Sequence, residues 1–157
     1  MLQSGEVIQY LKHGKGYSYL GFLQEEQVKH DEIKELLTKN FQRNCKTVWC
    51  SELTSLNKLK TYNQLVVSKL TSTFGIIKWT RKELQDLDIL TRKVMTGAKC
   101  HHLWSAVERL YLKRNDGGCG LISVEELHNR VSTGFAAYLN TSSSRFLRCE
   151  VEHNLCK

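Results

Sequence analysis

Apolar residues recur along this chain in two rhythms. Residues 7–11 and 17–23 are rich in β-branched and aromatic side chains and read as two short strands. His13-Gly-Lys-Gly16 lies between them as a hairpin loop, and Tyr17 and Tyr19 share one face of the second strand. From Asp31 the rhythm becomes helical. Ile33, Leu37, Phe41, Cys45 and Val48 fall on one stripe, which predicts a helix to about Trp49. Asp31, Glu32 and Glu35 in its first turns and Lys46 near its end suit the helix dipole. A second helix is predicted from about residue 53 to 70, with Leu56, Leu59, Tyr62 or Asn63, Val66 and Leu70 inward.

The third helix carries the clearest start signal. Thr80 and Glu83 stand at capping-box spacing, and Trp79 and Leu84 flank them as a hydrophobic staple. Leu84, Leu87, Leu90 or Thr91, and Val94 form its stripe, and Gly97 is its stop. The device recurs at Ser123 and Glu126, with Ile122 and Leu127 as staple. It predicts a helix to about Leu139 with Leu127, Val131, Phe135 and Tyr138 inward. A weaker box at Ser105 and Glu108 predicts a single turn before Arg109. Thr141-Ser-Ser-Ser144 reads as a linker to a tail that is a short helix or disordered. The expected fold is therefore mainly α, with a short N-terminal β-hairpin followed by about four helices. The absence of proline among 157 residues favours unbroken helices.

Charge sharpens this picture. The net charge is +7, and between residues 36 and 82 nine Lys and Arg face one acid, Glu52. So concentrated a positive field attracts polyanions. Lys39, Arg43 and Lys46 make one helical stripe, opposite the apolar one. Such a helix neutralises phosphates along a duplex without reading sequence. Lys58, Lys69 and Lys78 are expected to extend the surface, with Arg81 and Lys82 beyond them. The bland alternative is a solvated basic face.

Catalytic patterns are missing. No acid pair stands in a Tyr-x-Asp-Asp type motif, and no Gly-x-x-x-x-Gly-Lys-Ser/Thr phosphate loop occurs. Asn115-Asp-Gly-Gly118 is a turn sequence before it is a phosphate cradle. Cys149, His153 and Cys156 have zinc-ligand spacing, but their nearest helpers, Cys100-His-His102, lie some 50 residues away. Unrelated thiols and surface histidines are the better reading, and no cofactor is expected. No stretch approaches a membrane span, and the N-terminus lacks a signal pattern. The expected setting is intracellular, nuclear or cytoplasmic and not secreted, with six free thiols rather than a disulfide frame.

A series of short words then fixes a resemblance. They run Gly16-Tyr-Ser-Tyr-Leu-Gly21, Asn57-Lys58, Thr61-Tyr-Asn63, Gly75-Ile-Ile-Lys-Trp-Thr80, Glu83-Leu84, Leu87-Asp88, Arg92-Lys93, Arg109-Leu-Tyr-Leu-x-Arg114 and Gly117-Gly-x-Gly-Leu-Ile-Ser-Val-Glu125. In order and spacing they resemble the segment after the polymerase palm in reverse transcriptases of non-LTR (LINE-type) retrotransposons. Position 113 is Lys where that family commonly has Pro.

The resemblance implies that the hairpin is primer-grip-like, through Tyr17, Tyr19, Leu20 and Gly21. It implies that the following helices form a thumb clasping a template–primer duplex of RNA or DNA. It also implies that fingers, palm and metal-binding aspartates would precede Met1, so these residues would be inactive alone as an RNA-directed DNA polymerase. The implied divisions are a palm-end hairpin over 1–25, a basic thumb over 26–97, a helical extension over 98–140 and a tail over 141–157. The missing palm, or another protein, would meet the hairpin. The alternative is a helical protein–protein interaction module or homodimer with no nucleic-acid role.

Overall fold

The computed structural model describes residues 17–19, 22–24 and 30–141, and these are mainly helical. The hairpin expected from the sequence is not supported. A short antiparallel ladder pairs β1 (Tyr17–Tyr19) with β2 (Phe22–Gln24), Tyr19 opposite Phe22 and Tyr17 opposite Gln24. The chain thus reverses inside the segment predicted as one strand. The predicted first strand, its loop, Leu20 and Gly21 lie outside the described residues.

Helix α1 (His30–Trp49) buries Ile33, Phe41, Cys45, Val48 and Trp49, with Leu37 partly buried, which is the expected stripe and one residue more. Its C-terminal end is closed from outside. The Lys58 ammonium donates to the Trp49 carbonyl at 2.9 Å, so a cation satisfies an orphan carbonyl at the negative end of the helix.

The second rod runs continuously but changes pitch. α2 (Ser55–Thr61) starts at Thr54, whose hydroxyl accepts from the Asn57 N–H. A π turn follows (Tyr62–Val66), and α3 (Val67–Thr71) completes the rod. The sequence left Tyr62 or Asn63 as the inward residue, and the π turn uses both. Tyr62 is fully buried, edge-on to Phe41 and against Trp49, and its hydroxyl meets Thr91 Oγ1 at 3.1 Å. Asn63 faces a different part of the chain. The Val67 N–H returns to the Tyr62 carbonyl, the i→i+5 spacing of a π turn.

Helix α4 (Arg81–Gly97) begins with the predicted capping box. Thr80 Oγ1 accepts from the Glu83 N–H at 3.3 Å, and Glu83 Oε2 accepts from the Thr80 N–H at 2.7 Å. Lys34 of α1 also bonds both Glu83 oxygens at 3.0 Å, tying the cap to the neighbouring helix. The buried positions are Leu84, Leu87, Asp88, Thr91 and Met95. Thr91 therefore takes the place left open with Leu90, and Val94 is only partly buried. Thr91 hydroxyl returns a bond to the Leu87 carbonyl and touches Cys45, whose thiol burial pushes up to about 12.

The remainder packs into the same core. Leu110 from α5 (Glu108–Tyr111), Leu121 from the loop that follows, and Val124 at the start of α6 (Val124–Thr141) join the cluster of Phe41, Tyr62, Leu84 and Leu87. The Ser105 box does not form. Val107 precedes α5 with no side-chain cap. The Ser123 box forms by half: Ser123 Oγ accepts from the Glu126 N–H, while Glu126 pairs with Arg130. Phe135 and Tyr138, expected inward, are 53% and 61% exposed, because α6 touches the core only through its first turns. Among the described residues no helix is long and apolar enough to cross a membrane.

The segment 112–120 turns tightly. Gly117 and Gly120 adopt φ of 79° and 77°, in the left-handed region that glycine enters without a Cβ penalty. A Cβ on Gly118 would collide with the Leu112 carbonyl. Gly118→Ala is therefore expected to cost about 2 kcal/mol by forcing the loop to shift. A urea midpoint unchanged from wild type would refute it.

Candidate nucleic-acid interface

Six cations were expected to form one basic surface, and the structure divides them. Arg43 of α1 and Lys69 of α3 line the same groove, of about 200 Å³, where the two rods meet. Its floor is Leu37, Phe41, Val66 and Leu70, and Asn40 and Asn44 add amide groups along its wall. Lys46 stands one turn beyond Arg43 on the exposed side of α1. The ion pairs among the described residues, Lys34–Glu83, Lys39–Glu35, Arg81–Glu125 and Arg130–Glu126, leave Arg43, Lys46 and Lys69 out.

Lys39 shares the stripe but bonds Glu35 at 2.6 Å, and that ammonium holds the Glu35 carboxyl below its usual range. Its field is thereby partly cancelled. Lys58 does not belong to the surface, because its ammonium is spent on the Trp49 carbonyl and lies 3.8 Å from Cys100 Sγ. Lys78 is exposed in the loop between α3 and α4, outside the groove. Arg81 is tied to Glu125 at 2.7 Å. The remnant is Arg43 and Lys69 at the groove, with Lys46 one turn along α1 from Arg43 and outside the groove lining. Tyr17 and Tyr19 are strand residues, and the side chains of that ladder lie outside the described residues. So do Cys149, His153 and Cys156, and Cys100 turns its sulfur to backbone carbonyls and Lys58.

A second constellation was missed by the sequence pattern, although its residues sit in the resembling words. Asp88, on the inner face of α4, reaches the N-terminus of α6. Its carboxylate accepts from Val124 N–H at 2.8 Å, Glu125 N–H at 3.2 Å and Ser123 hydroxyl at 2.7 Å. Burial raises its carboxyl above the ordinary value, and those three donors with the Arg92 charge oppose the rise. Nearby, Arg92 donates to the Tyr111 hydroxyl at 2.8 Å. Asn63 clamps the segment just before α6: its amide donates to the Gly120 carbonyl at 2.9 Å and accepts from the Ile122 N–H at 3.1 Å.

Asn63, Asp88, Arg92, Tyr111 and the Gly117–Ser123 run thus form one interlocking frame. Most of its described hydrogen bonds are internal, and Asp88, Arg92, Tyr111, Ser123 and Glu125, with Gln85 and Ile89, line an open cavity of about 350 Å³. An acid at a core position of a helix has to find buried donors, but the sequence does not say which. No protein-family model matches the chain, and neither does a curated protein or a solved structure.

Proposed function

We propose that this chain is a thumb-like, non-catalytic part of a retrotransposon reverse transcriptase, which grips duplex nucleic acid through its phosphates. The observation that carries the reading is the groove between α1 and α3, lined by Arg43 and Lys69, with Lys46 exposed one turn along α1 from Arg43 and all three outside the described ion pairs. Cations on rigid helices suit sequence-independent phosphate contact, since the helices fix their spacing while the backbone supplies repeating charge. Tyr17–Gly21 would then lie near a primer end, as the resemblance implies. No acid pair of the sequence stands in a Tyr-x-Asp-Asp type motif for metal-assisted phosphoryl transfer, so the part proposed for it is gripping rather than chemistry.

Two features support the resemblance. The resembling words lie far apart in sequence, yet their residues bond one another in the Asn63–Asp88 frame. In addition, Lys113 stands at φ −62°, ψ 152°, where that family commonly has Pro. Leu112 before it has φ −59°, ψ 146°, the extended conformation a residue preceding proline prefers. The Lys113 N–H donates to no backbone carbonyl among the described residues. Lys113→Pro is therefore expected to stabilise the fold by about 0.5 kcal/mol, through the unfolded chain. A lowered thermal midpoint would contradict it.

The direct test is a fluorescence-anisotropy titration of a labelled RNA–DNA duplex at low salt. Saturable binding with little dependence on base sequence is expected. A flat titration would remove the proposal. The second reading, a helical interaction module or homodimer, draws on Phe135 and Tyr138 exposed along α6. Size-exclusion chromatography separates the two, since a monomer at high concentration counts against self-association.

A further inference from the structure

The loop between α4 and α5 carries an aromatic ring that the core does not use. Trp104 is 90% exposed and Leu103 beside it 78%, whereas Trp49 is 3% exposed and Trp79 packs partly into the core. The ring sits on an ordered turn. His102 Nδ1 accepts from the Trp104 N–H at 3.2 Å, and the His102 carbonyl accepts from the Ser105 N–H at 3.0 Å. The surrounding chain is basic. Lys99, Arg109, Lys113 and Arg114 are all exposed, with Arg109 Nε donating to the Gly117 carbonyl at 3.4 Å, and Glu108 is the one acid between residues 99 and 114. A single exposed aromatic residue is ordinary on a protein surface. A tryptophan held outward by a turn, with an apolar neighbour and four cations along the same stretch, has the make-up of a stacking platform for unpaired bases.

We propose that Trp104 stacks on an unpaired base of a single-stranded extension, with the flanking cations tracking its phosphates. The inference rests on the duplex-gripping reading and adds to it a second site, on another loop and for another form of nucleic acid. The flat indole face takes any base, so little sequence preference follows. The cations argue against a neutral apolar partner, which would gain nothing from them.

Tryptophan emission tests this, because the other two rings are buried or half-buried. The full chain is titrated with a blunt duplex and with the same duplex carrying a single-stranded extension. Wild type is expected to be quenched by the extended duplex far more than by the blunt one. Trp104→Ala is expected to lose that extra quenching and to bind the extended duplex roughly tenfold more weakly, with blunt-duplex affinity unchanged. Trp104→Phe should retain most of the affinity. Because the side chain is almost wholly exposed, these substitutions leave the fold intact. Equal affinity of wild type and Trp104→Ala for the extended duplex would overturn the platform while leaving duplex binding standing. Failure of wild type to bind either duplex would overturn both. A blue shift of emission with protein concentration alone, without nucleic acid, would overturn the platform in favour of a protein contact.

Discussion

Asp88→Ala is expected to cost about 3 kcal/mol of folding stability, since it strands three donors at once. Val124 N–H and Ser123 hydroxyl lose their acceptor in a place water reaches poorly, and Val124 is fully buried. The damage is concentrated because α6 has so little else to hold it. Only Val124 of that helix is buried, with Leu127 and Val131 packing beside it. The thermal midpoint should fall by roughly 10 °C, and amide exchange should accelerate first in α6. A variant as stable as wild type would show that the α4–α6 clamp is not a stabilising element.

The pH dependence of this loss has a definite sign. Burial raises the Asp88 carboxyl in the folded state, so the folded chain takes up the proton at a higher pH than the unfolded chain does. Titration of Asp88 therefore adds stability as pH falls through the folded value, and adds no more below the unfolded value near about 3.9. The gap between wild type and Asp88→Ala should widen from neutral pH towards pH 4. Glu83 and Glu125 behave oppositely. Burial pushes the Glu83 carboxyl up, but the Thr80 N–H, Lys34 and the Thr80 hydroxyl outweigh it, and Arg81 with Gln85 lowers Glu125. Their contributions are present above the unfolded carboxylate range and fade as pH falls, equally in both proteins.

The second large effect concerns binding. Arg43→Glu with Lys46→Glu is expected to weaken duplex affinity roughly 100-fold at about 0.1 M salt, since each lost phosphate contact forgoes roughly eightfold in counterion release and reversal adds repulsion. Both side chains are exposed and outside the described ion pairs, so the fold should survive. Lys58→Met is the informative control. Its ammonium serves the Trp49 carbonyl, so affinity should change by less than about twofold although its charge is lost. Equal losses from Lys58 and from Arg43 would mean that net charge alone, without a surface, attracts the polyanion.

Elements governed by local signals were legible in the sequence. The stripe of α1 and the Thr80–Glu83 box of α4 need only neighbours within one or two turns, and both stand where their residues place them. What was hidden depends on partners far along the chain. Asp88 is satisfied by Val124 and Glu125, some 36 residues on, and Asn63 by Gly120 and Ile122, so neither role shows in local spacing. The π turn has no local signal either, and the two residues that open it, Tyr62 and Asn63, meet partners far along the chain. Phe135 and Tyr138 kept a helical period that suggested burial, yet α6 runs past the core it starts on. The basic stripe was legible as a pattern, but its thinning was not. Only the structure shows Lys58 folded back onto α1 and Lys39 held by Glu35.

A positive wall built from α1 and α3 is the claim on which the functional reading stands, and the salt dependence of duplex affinity reads it most directly. Plotted as log K against log salt concentration, three contacts from Arg43, Lys46 and Lys69 predict a slope of about −3, reduced by roughly two when Arg43 and Lys46 are neutralised. A slope near zero for the wild-type chain, or one that those substitutions leave unaltered, would contradict the account.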